Sequence, residues 1–174
     1  MRSELHLRNW WFKHSNTEEN AIDNVFRLLD IPWWYYAIAV LLGVVVIWVW
    51  KRPSLGLLTG YGLLLLAETV LIRKPFIGEH LRLEPFWSWR AWDKQREQIL
   101  TNIVMFIPVG VLAGRAWKWK GALVALSMSI TVELLQLLTQ RGLCELDDVM
   151  HNMIGAVIGI GIAMMAGLIR KREL

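Results

Sequence analysis

The sequence predicts an all-α polytopic membrane bundle, with about five transmembrane helices and an N-terminal amphipathic helix at the membrane interface. Hydrophobic residues make up 55% of the 174 residues, and the mean hydropathy is +0.38, well above that of a soluble domain. Several apolar runs approach the ~20 residues that span ~30 Å of hydrocarbon. The 11 Trp lie mostly beside the ends of these runs, where an amphipathic ring favours the headgroup level.

The chain divides into two parts. Residues 1–32 are polar and aromatic, without the apolar core and cleavage site of a signal peptide. A cap at Asn16 or Thr17 precedes apolar residues at helical spacing, so we expect an amphipathic helix on the membrane surface, ended by Pro32. A partly ordered tail is the alternative. Residues 33–174 are predicted to form a single transmembrane domain.

The apolar runs predict spans at about 34–50, 55–72, 102–117, 121–138 and 150–169. The long segment 73–100 is rich in aromatic and charged residues, unlike a flexible linker. We expect it to be a loop that folds back onto the interface and covers or lines a site. Glu68, near the end of the second span, either takes part in that site or pairs with Arg73.

The third and fifth spans carry stripes of small and polar residues. In the third span the stripe is Asn102, Phe106, Gly110 and Gly114; in the fifth it is Asp148, Asn152, Gly155, Gly159, Ala163 and Gly167. Residues at these spacings share one helix face, and glycines on such a face allow close helix approach. The two spans are therefore predicted to pack closely, with their polar residues at one end of the contact.

The fourth span contains Glu133, the most unusual residue of the sequence. Glu133 and Gln136 are three residues apart and share a helix face. A carboxyl group in hydrocarbon must be paired, hydrated or protonated, and a membrane segment that carries one usually has a use for it. Arg141 follows about two turns later and is the expected counter-ion for the carboxylates.

The loop before the last span delivers a pair of acidic residues, Asp147 and Asp148. They can be caps that favour a helix N-terminus, or they can belong to a site. The helical spacing favours a site for Asp148. The sequence thus predicts one polar pocket; its expected ligand-binding residues are Asn102, Glu133, Gln136, Arg141, Asp148, Asn152 and Glu68.

Some classes of site find no support in the sequence. Cys144 is the one cysteine, so a thiolate metal cluster and an intramolecular disulfide are excluded. We expect no metal and no cofactor. The net charge of +4 does not predict nucleic-acid binding, because the basic residues cluster at span ends, as in ordinary membrane anchoring.

Four fragments in register resemble the VanZ-like family of small bacterial membrane proteins, named for a teicoplanin-resistance component of glycopeptide-resistance clusters. They are NIVMFIPVG, ITVELLQ, the R-x-x-x-E-x-DDV-x-x-N pattern from Arg141, and GAVIG, preceded by LRLEPF in the position of the family's N-x-x-PF stretch. Glu84 departs from that stretch, which often has a small or polar residue there. The resemblance covers about residues 60–162, outside the first span.

The resemblance implies a helical membrane protein that alters sensitivity to lipoglycopeptides acting on the cell wall. The residues that fall on the family's polar motif positions are Asn102, Glu133, Gln136, Arg141, Asp147, Asp148 and Asn152. The family resemblance implies no particular reaction.

The positive charges suggest an orientation. Lys51, Arg52, Arg115, Lys118 and Lys120 lie in short connections on one side of the predicted spans, joined by the basic C-terminus, and short basic connections face the cytoplasm. The predicted pocket would then open on the outer side of the bacterial cytoplasmic membrane. The rule favours this orientation by charge density, since the opposite side carries more basic residues in longer segments.

Two function classes fit these residues. In the first, the pocket binds a membrane lipid, a lipid-linked cell-wall precursor or the lipid-like part of an antibiotic, with Arg141 engaging phosphate or carboxylate. In the second, the protein is a membrane-embedded hydrolase or transferase, with Glu133 and one of Asp147 and Asp148 as general base and acid. Transport ranks third, because five helices form a pathway only by oligomerising.

Overall fold

A computed structural model of the chain describes residues 32–73, 75, 78 and 80–172, with side chains up to Leu168 at the C-terminal end. The amphipathic helix expected before Pro32 lies outside the described residues. The elements in chain order are α1 (Trp33–Trp50), α2 (Pro53–Leu66), a π turn (Ala67–Leu71), β1 (Leu81–Arg82), α3 (Trp87–Arg90), α4 (Trp92–Trp117), a 3-10 turn (Lys118–Lys120), α5 (Gly121–Thr139), β2 (Cys144–Glu145) and α6 (Leu146–Arg172).

The prediction of an all-α membrane bundle is confirmed. Four stretches are long and apolar enough to cross a membrane: Trp33–Trp50, Pro53–Leu71, Trp92–Thr139 and Leu146–Leu168. The third contains both α4 and α5, which fold back on each other at the 3-10 turn. Gly121 makes this reversal possible, because a Cβ there would stand 2.6 Å from the Ala113 carbonyl carbon.

Two helices begin earlier than their apolar runs predict. The expected 73–100 loop is wrong in its last part, because α4 starts at Trp92 with Asp93 in its first turn. The charged residues that follow are strong helix formers, and an acidic first turn suits the helix dipole. Likewise, α6 starts at Leu146 and takes Asp147 and Asp148 into its first turn.

The predicted close packing of the third and fifth membrane helices, α4 and α6, is confirmed. An added Cβ at Gly155 would stand 2.0 Å from the Ile103 carbonyl oxygen, and one at Gly159 would stand 2.1 Å from that of Ile107. From the other side, a Cβ at Gly110 would stand 2.1 Å from the Ala156 carbonyl oxygen. The two backbones are therefore in direct contact, and glycine is the one residue type small enough for these positions.

Helix α4 occupies the centre of the bundle, since it packs against α2, α5 and α6. Helix α1 lies at the edge, where it packs on α2 through Gly43 and Gly56; only 11% of α1 is buried. Its outward residues are large and apolar, as expected of a surface that faces lipid.

One end of the bundle, here called the cleft end, collects the polar loops. The π turn and the C-terminus of α5 reach it, and α4 and α6 begin there. Strands β1 and β2 pair in parallel at this end, with Leu81 opposite Cys144 and Arg82 opposite Glu145. The backbone amide of Cys144 also donates to the His80 carbonyl oxygen at 2.9 Å. The two loops are thereby joined into one cover.

Candidate functional site

A polar cleft lies at the cleft end between α2, α4, α5 and α6. Its lining residues are Thr69, Arg73, Asn102, Met105, Phe106, Val132, Glu133, Gln136, Asp148 and Asn152. Five of the residues predicted from the sequence are among them. The free space at its centre is ≈ 10 Å³, close to the smallest space that holds one water molecule.

The π turn shapes the α2 side of the cleft. Within it the Ile72 amide donates back to the Ala67 carbonyl oxygen at 3.0 Å, which widens the last turn. The Thr69 carbonyl oxygen accepts a hydrogen bond from Gln136 Nε2 at 3.2 Å. Gln136 therefore ties the end of α2 to α5, and such turns are frequent at functional sites.

Arg141 does not take the place predicted for it. Its Nη1 donates to the Leu71 carbonyl oxygen at 2.7 Å, where it caps the end of the π turn, and Arg141 does not line the cleft. The cation in the cleft lining is Arg73, which is half-buried. The sequence pointed to Arg141 because it is close to Glu133 along the chain, whereas Arg73 reaches the cleft through the end of α2.

Glu133 lies inside the bundle, and only 3% of it is exposed. Its Oε2 accepts a hydrogen bond from the backbone amide of Glu145 at 3.0 Å. This bond connects α5 to the β2 strand just before α6. The membrane helix thus directs its one carboxylate toward the polar loops and away from lipid.

Glu145 and Asp148 form the second half of an acidic group, and both are buried. Gln98 bridges them: its Nε2 lies 3.1 Å from Asp148 Oδ2 and 3.4 Å from Glu145 Oε2. Arg82 Nη1 stands 3.9 Å from Glu145 Oε1, and its guanidinium lies over the Trp87 ring. We call Glu133, Glu145 and Asp148 the carboxylate cluster.

The surroundings of Glu145 make its ionisation costly. Burial, followed by the negative charge of Asp148, raises the pKa of the Glu145 carboxyl to about 7, and Arg82 offsets part of this effect. Near neutral pH the Glu145 carboxyl is therefore poised between its protonated and its ionised form. A bound cation would favour the more negative one.

Asp147, predicted as an alternative catalytic acid, has a different position. It is fully buried, and its carboxylate accepts from the Phe86 amide at 2.6 Å, from the Ser88 amide at 2.9 Å and from Ser88 Oγ at 2.5 Å. Phe86 is held in the left-handed region, with φ 61°. Asp147 thus fixes the turn that enters α3 and does not line the cleft.

Two amides on the cleft lining retain unused hydrogen-bonding capacity. Among the described residues, Asn102 Nδ2 and Gln136 Oε1 are buried atoms without a hydrogen-bond partner. Asn152, in contrast, donates from Nδ2 to Ser129 Oγ at 2.9 Å. A buried polar atom without a partner costs free energy, so these two atoms favour a bound polar molecule or water in the cleft.

His151 and Glu68 flank the cleft without lining it. His151 is fully buried, with Nδ1 3.7 Å from Asp148 Oδ1 and its ring 5.7 Å from that of Trp89. Glu68 is half-buried in the π turn. Within the described part of the chain, no three His, Cys, Asp or Glu side chains are grouped as metal ligands.

The pocket predicted from the sequence does not include Gln98, Arg73, Glu145 or Ser129. A signal existed for Gln98: it lies four residues before Asn102, so it extends the predicted polar stripe by one turn. The apolar run predicts a helix that starts at Asn102, so it leaves the turn that carries Gln98 in the loop. Glu145 and Arg73 carry no such periodicity, since they belong to loop segments.

Comparison with known proteins finds a family model that matches most of the chain. Residues 33–169 match the family model described as VanZ/LLP1. This range includes α1, which the estimate of residues 60–162 from short motifs left outside. No curated protein and no solved structure matches the chain.

Proposed function

Because the chain belongs to the VanZ/LLP1 family of membrane proteins, we propose that it binds an amine-bearing, lipid-like or lipid-linked molecule of the bacterial cell envelope. The bound molecule is a membrane lipid, a lipid-linked cell-wall precursor or a lipoglycopeptide. Binding takes place in the polar cleft, on the outer side of the cytoplasmic membrane, and contributes to resistance to lipoglycopeptides such as teicoplanin.

The observation that carries this proposal is the group of three buried carboxylates beside a cleft that Glu133 and Asp148 line, together with two lining amides that each keep one atom without a partner. Three acidic groups from α5, β2 and α6 are buried together. An ammonium group is the ligand that such a cluster favours, because it donates three charge-assisted hydrogen bonds and neutralises repulsion. Sugar hydroxyls donate to the same oxygens.

Arg73 suits the other half of such a headgroup. Its guanidinium lines the cleft beside the acidic groups. Arginine presents a planar set of donors that matches phosphate or carboxylate oxygens. In a headgroup with a phosphate and an amine a few atoms apart, the ammonium group, about the size of a water molecule, would occupy the small free space of the cleft, and the phosphate would lie outside that space, beside Arg73.

The proposal is tested with the Glu133→Gln variant, which keeps the shape and removes the ionisable carboxyl group. In cells that depend on this protein for tolerance, we expect Glu133→Gln to lower the inhibitory concentration of teicoplanin to that of cells without the protein. In lipid nanodiscs, we expect it to lose about tenfold or more in affinity for glycerophosphoethanolamine, the loss of one charge-assisted contact.

Glu84→Gln is the matched control, since Glu84 is an exposed carboxylate at the same end and pairs with Arg90. It should behave as the unchanged protein in both assays. Normal accumulation in the membrane must accompany each variant. Unchanged tolerance and affinity in a well-folded Glu133→Gln protein would contradict the proposal.

Catalysis on a lipid-linked substrate is the second candidate, favoured by one observation. The pKa of Glu145, raised to about 7 by burial and Asp148, is suited to a general acid near neutral pH. Asp148 or Glu133 would then act as the base. Incubating the protein with a lipid-linked cell-wall precursor and following the products by mass spectrometry tests this, and turnover that requires Glu133 would replace binding with catalysis.

A further inference from the structure

An apolar groove opens toward the lipid between α2 and α5. It has a volume of ≈ 570 Å³. Its walls are formed by one face of each helix: Leu58, Thr59, Gly62, Leu63, Leu65 and Leu66 from α2, and Leu123, Val124, Ser127, Met128, Thr131 and Val132 from α5. At 1.5 Å per residue, the walls are roughly 12 to 14 Å long.

The hydroxyl groups in this groove do not make it polar. Thr59 Oγ1 donates to the Leu55 carbonyl oxygen at 3.0 Å, Ser127 Oγ donates to that of Leu123 at 2.8 Å, and Thr131 Oγ1 donates to that of Ser127 at 2.7 Å. Each hydroxyl hydrogen is thus used within its own helix. The surface that remains suits a hydrocarbon chain.

The groove borders the polar cleft. Val132 lines both, and the next residue along α5 is Glu133. On α2, Leu65 lines the groove, while Thr69, one turn later, lines the cleft and donates its hydroxyl to the Leu65 carbonyl oxygen at 2.8 Å. Along both helices, the last residues that line the apolar groove are therefore followed within about one turn by residues that line the polar cleft.

Access from the water above the cleft is restricted. The turn that enters α3 is bonded to Asp147 at the start of α6, and Ser88, Asp147 and His151 beneath it are buried. The paired strands β1 and β2 close the same end. Among the sides formed by the described residues, the one that faces the bilayer next to the cleft is the groove between α2 and α5.

We propose that the headgroup reaches the cleft sideways from the bilayer and that one hydrocarbon chain of the same molecule lies in the groove between α2 and α5. This rests on the proposed function and narrows its ligand to a diacyl phospholipid with an amine-bearing headgroup. A second groove, between α1 and α2, has a volume of ≈ 320 Å³ but shares no lining residue with the cleft. This second groove has room for a hydrocarbon chain, but it does not adjoin the cleft that would hold the headgroup.

The test fills the groove from its open side. Ser127 is exposed in the groove wall, so Ser127→Phe occupies the space without disturbing the core. Val44→Phe is the matched control, because Val44 is 54% exposed and lines the α1–α2 groove. The probe is phosphatidylethanolamine with a photoreactive diazirine in one acyl chain, in nanodiscs of phosphatidylcholine.

We expect the probe to label peptides from α2 and α5 in the unchanged protein and in Val44→Phe. Ser127→Phe should lose about tenfold of that labelling, the effect of roughly two methylenes no longer bound in apolar contact. Its affinity for glycerophosphoethanolamine, which has no chains, should stay unchanged. Glu133→Gln should lose both the labelling and the headgroup affinity.

These measurements separate the two proposals. If Ser127→Phe keeps full labelling, or if the label lies on α1 instead, the groove assignment is overturned while headgroup binding can still depend on Glu133. If Ser127→Phe converts a dimer in nanodiscs to a monomer, a second copy of the chain covers the groove, and the assignment is likewise overturned. A Glu133→Gln protein with unchanged headgroup affinity contradicts the proposed function itself.

Discussion

Replacing Gly159 by alanine tests the contact on which the whole bundle depends. The new methyl carbon would stand 2.1 Å from the Ile107 carbonyl oxygen and 2.7 Å from the Val111 amide nitrogen. Both neighbours are backbone atoms of α4 and cannot rotate away. To reach a separation of at least 3.0 Å, α4 and α6 must move apart by about 0.9 Å, which is 3.0 minus 2.1.

Gly161→Ala provides the matched control on the same helix, because a Cβ there meets nothing within 4 Å. Alanine favours a helix over glycine by about 1 kcal/mol at either position. Overpacking a tight contact costs about 1–3 kcal/mol. We therefore expect Gly161→Ala to be stabilising, and Gly159→Ala to be less stable than Gly161→Ala by about 1–3 kcal/mol.

The free energy of unfolding in mixed micelles measures this difference directly. Gly110→Ala, on the opposing helix, should resemble Gly159→Ala, since its Cβ would stand 2.1 Å from the Ala156 carbonyl oxygen. Equal stability of the Gly159→Ala and Gly161→Ala proteins would refute the direct backbone contact between α4 and α6.

Three further predictions concern the cleft end. For pH, the pKa of Glu145 is raised from 4.5 to about 7, mainly by burial and Asp148, so the folded state favours the protonated carboxyl. The free energy of unfolding should therefore fall as pH rises from about 4.5 to about 7. Glu145→Gln should remove this pH dependence. The affinity for glycerophosphoethanolamine should conversely weaken as pH falls through about 7, and a pH-independent affinity would contradict a charged Glu145 in binding. For topology, Cys144 should react with a membrane-impermeant maleimide added to spheroplasts. The reaction should be slow, because burial and then Glu133 raise the pKa of the thiol. Labelling only after the membrane is opened would place the cleft on the cytoplasmic side. For the cover, Asp147→Ala leaves two backbone amides without their acceptor, which costs about 1–3 kcal/mol of stability for each amide. Protease should therefore cut this variant near Phe86 faster than it cuts Glu84→Gln. Equal rates would show that other contacts hold the turn.

Periodicity explains how much of this fold was predictable. Apolar runs locate each membrane helix, and they locate every helix end except the start of α4 within a few residues. The glycine stripes correctly predict that α4 and α6 touch. The starts of α4 and α6 were predicted less well, because an apolar run marks the part of a helix that lies in hydrocarbon and not the polar turns that extend beyond it. The polar first turns of α4 project beyond the apolar run, and Gln98 lies on one of them.

The cleft was partly predictable for the same reason. Asn102, Gln136 and Asn152 lie on helix faces whose direction follows from their spacing, and all three line the cleft. The counter-ion was not predictable, because Arg73 and Arg141 both follow the ends of membrane helices. Which of them enters the cleft depends on the π turn, a local widening for which the sequence provides no periodic signal.

The buried acids at the cleft end differ in how completely they are satisfied, and this separates structure from function. Asp147 accepts three hydrogen bonds from the turn it holds, so its burial is explained by folding alone. Glu133 accepts one backbone hydrogen bond, while Glu145 and Asp148 share the amide of Gln98. Arg82 Nη1 stands 3.9 Å from Glu145, and His151 Nδ1 stands 3.7 Å from Asp148. Packing would be served better by apolar residues at these three positions. We assign to the amine of the bound lipid the role of a positively charged partner that gives further donors to these three carboxylates.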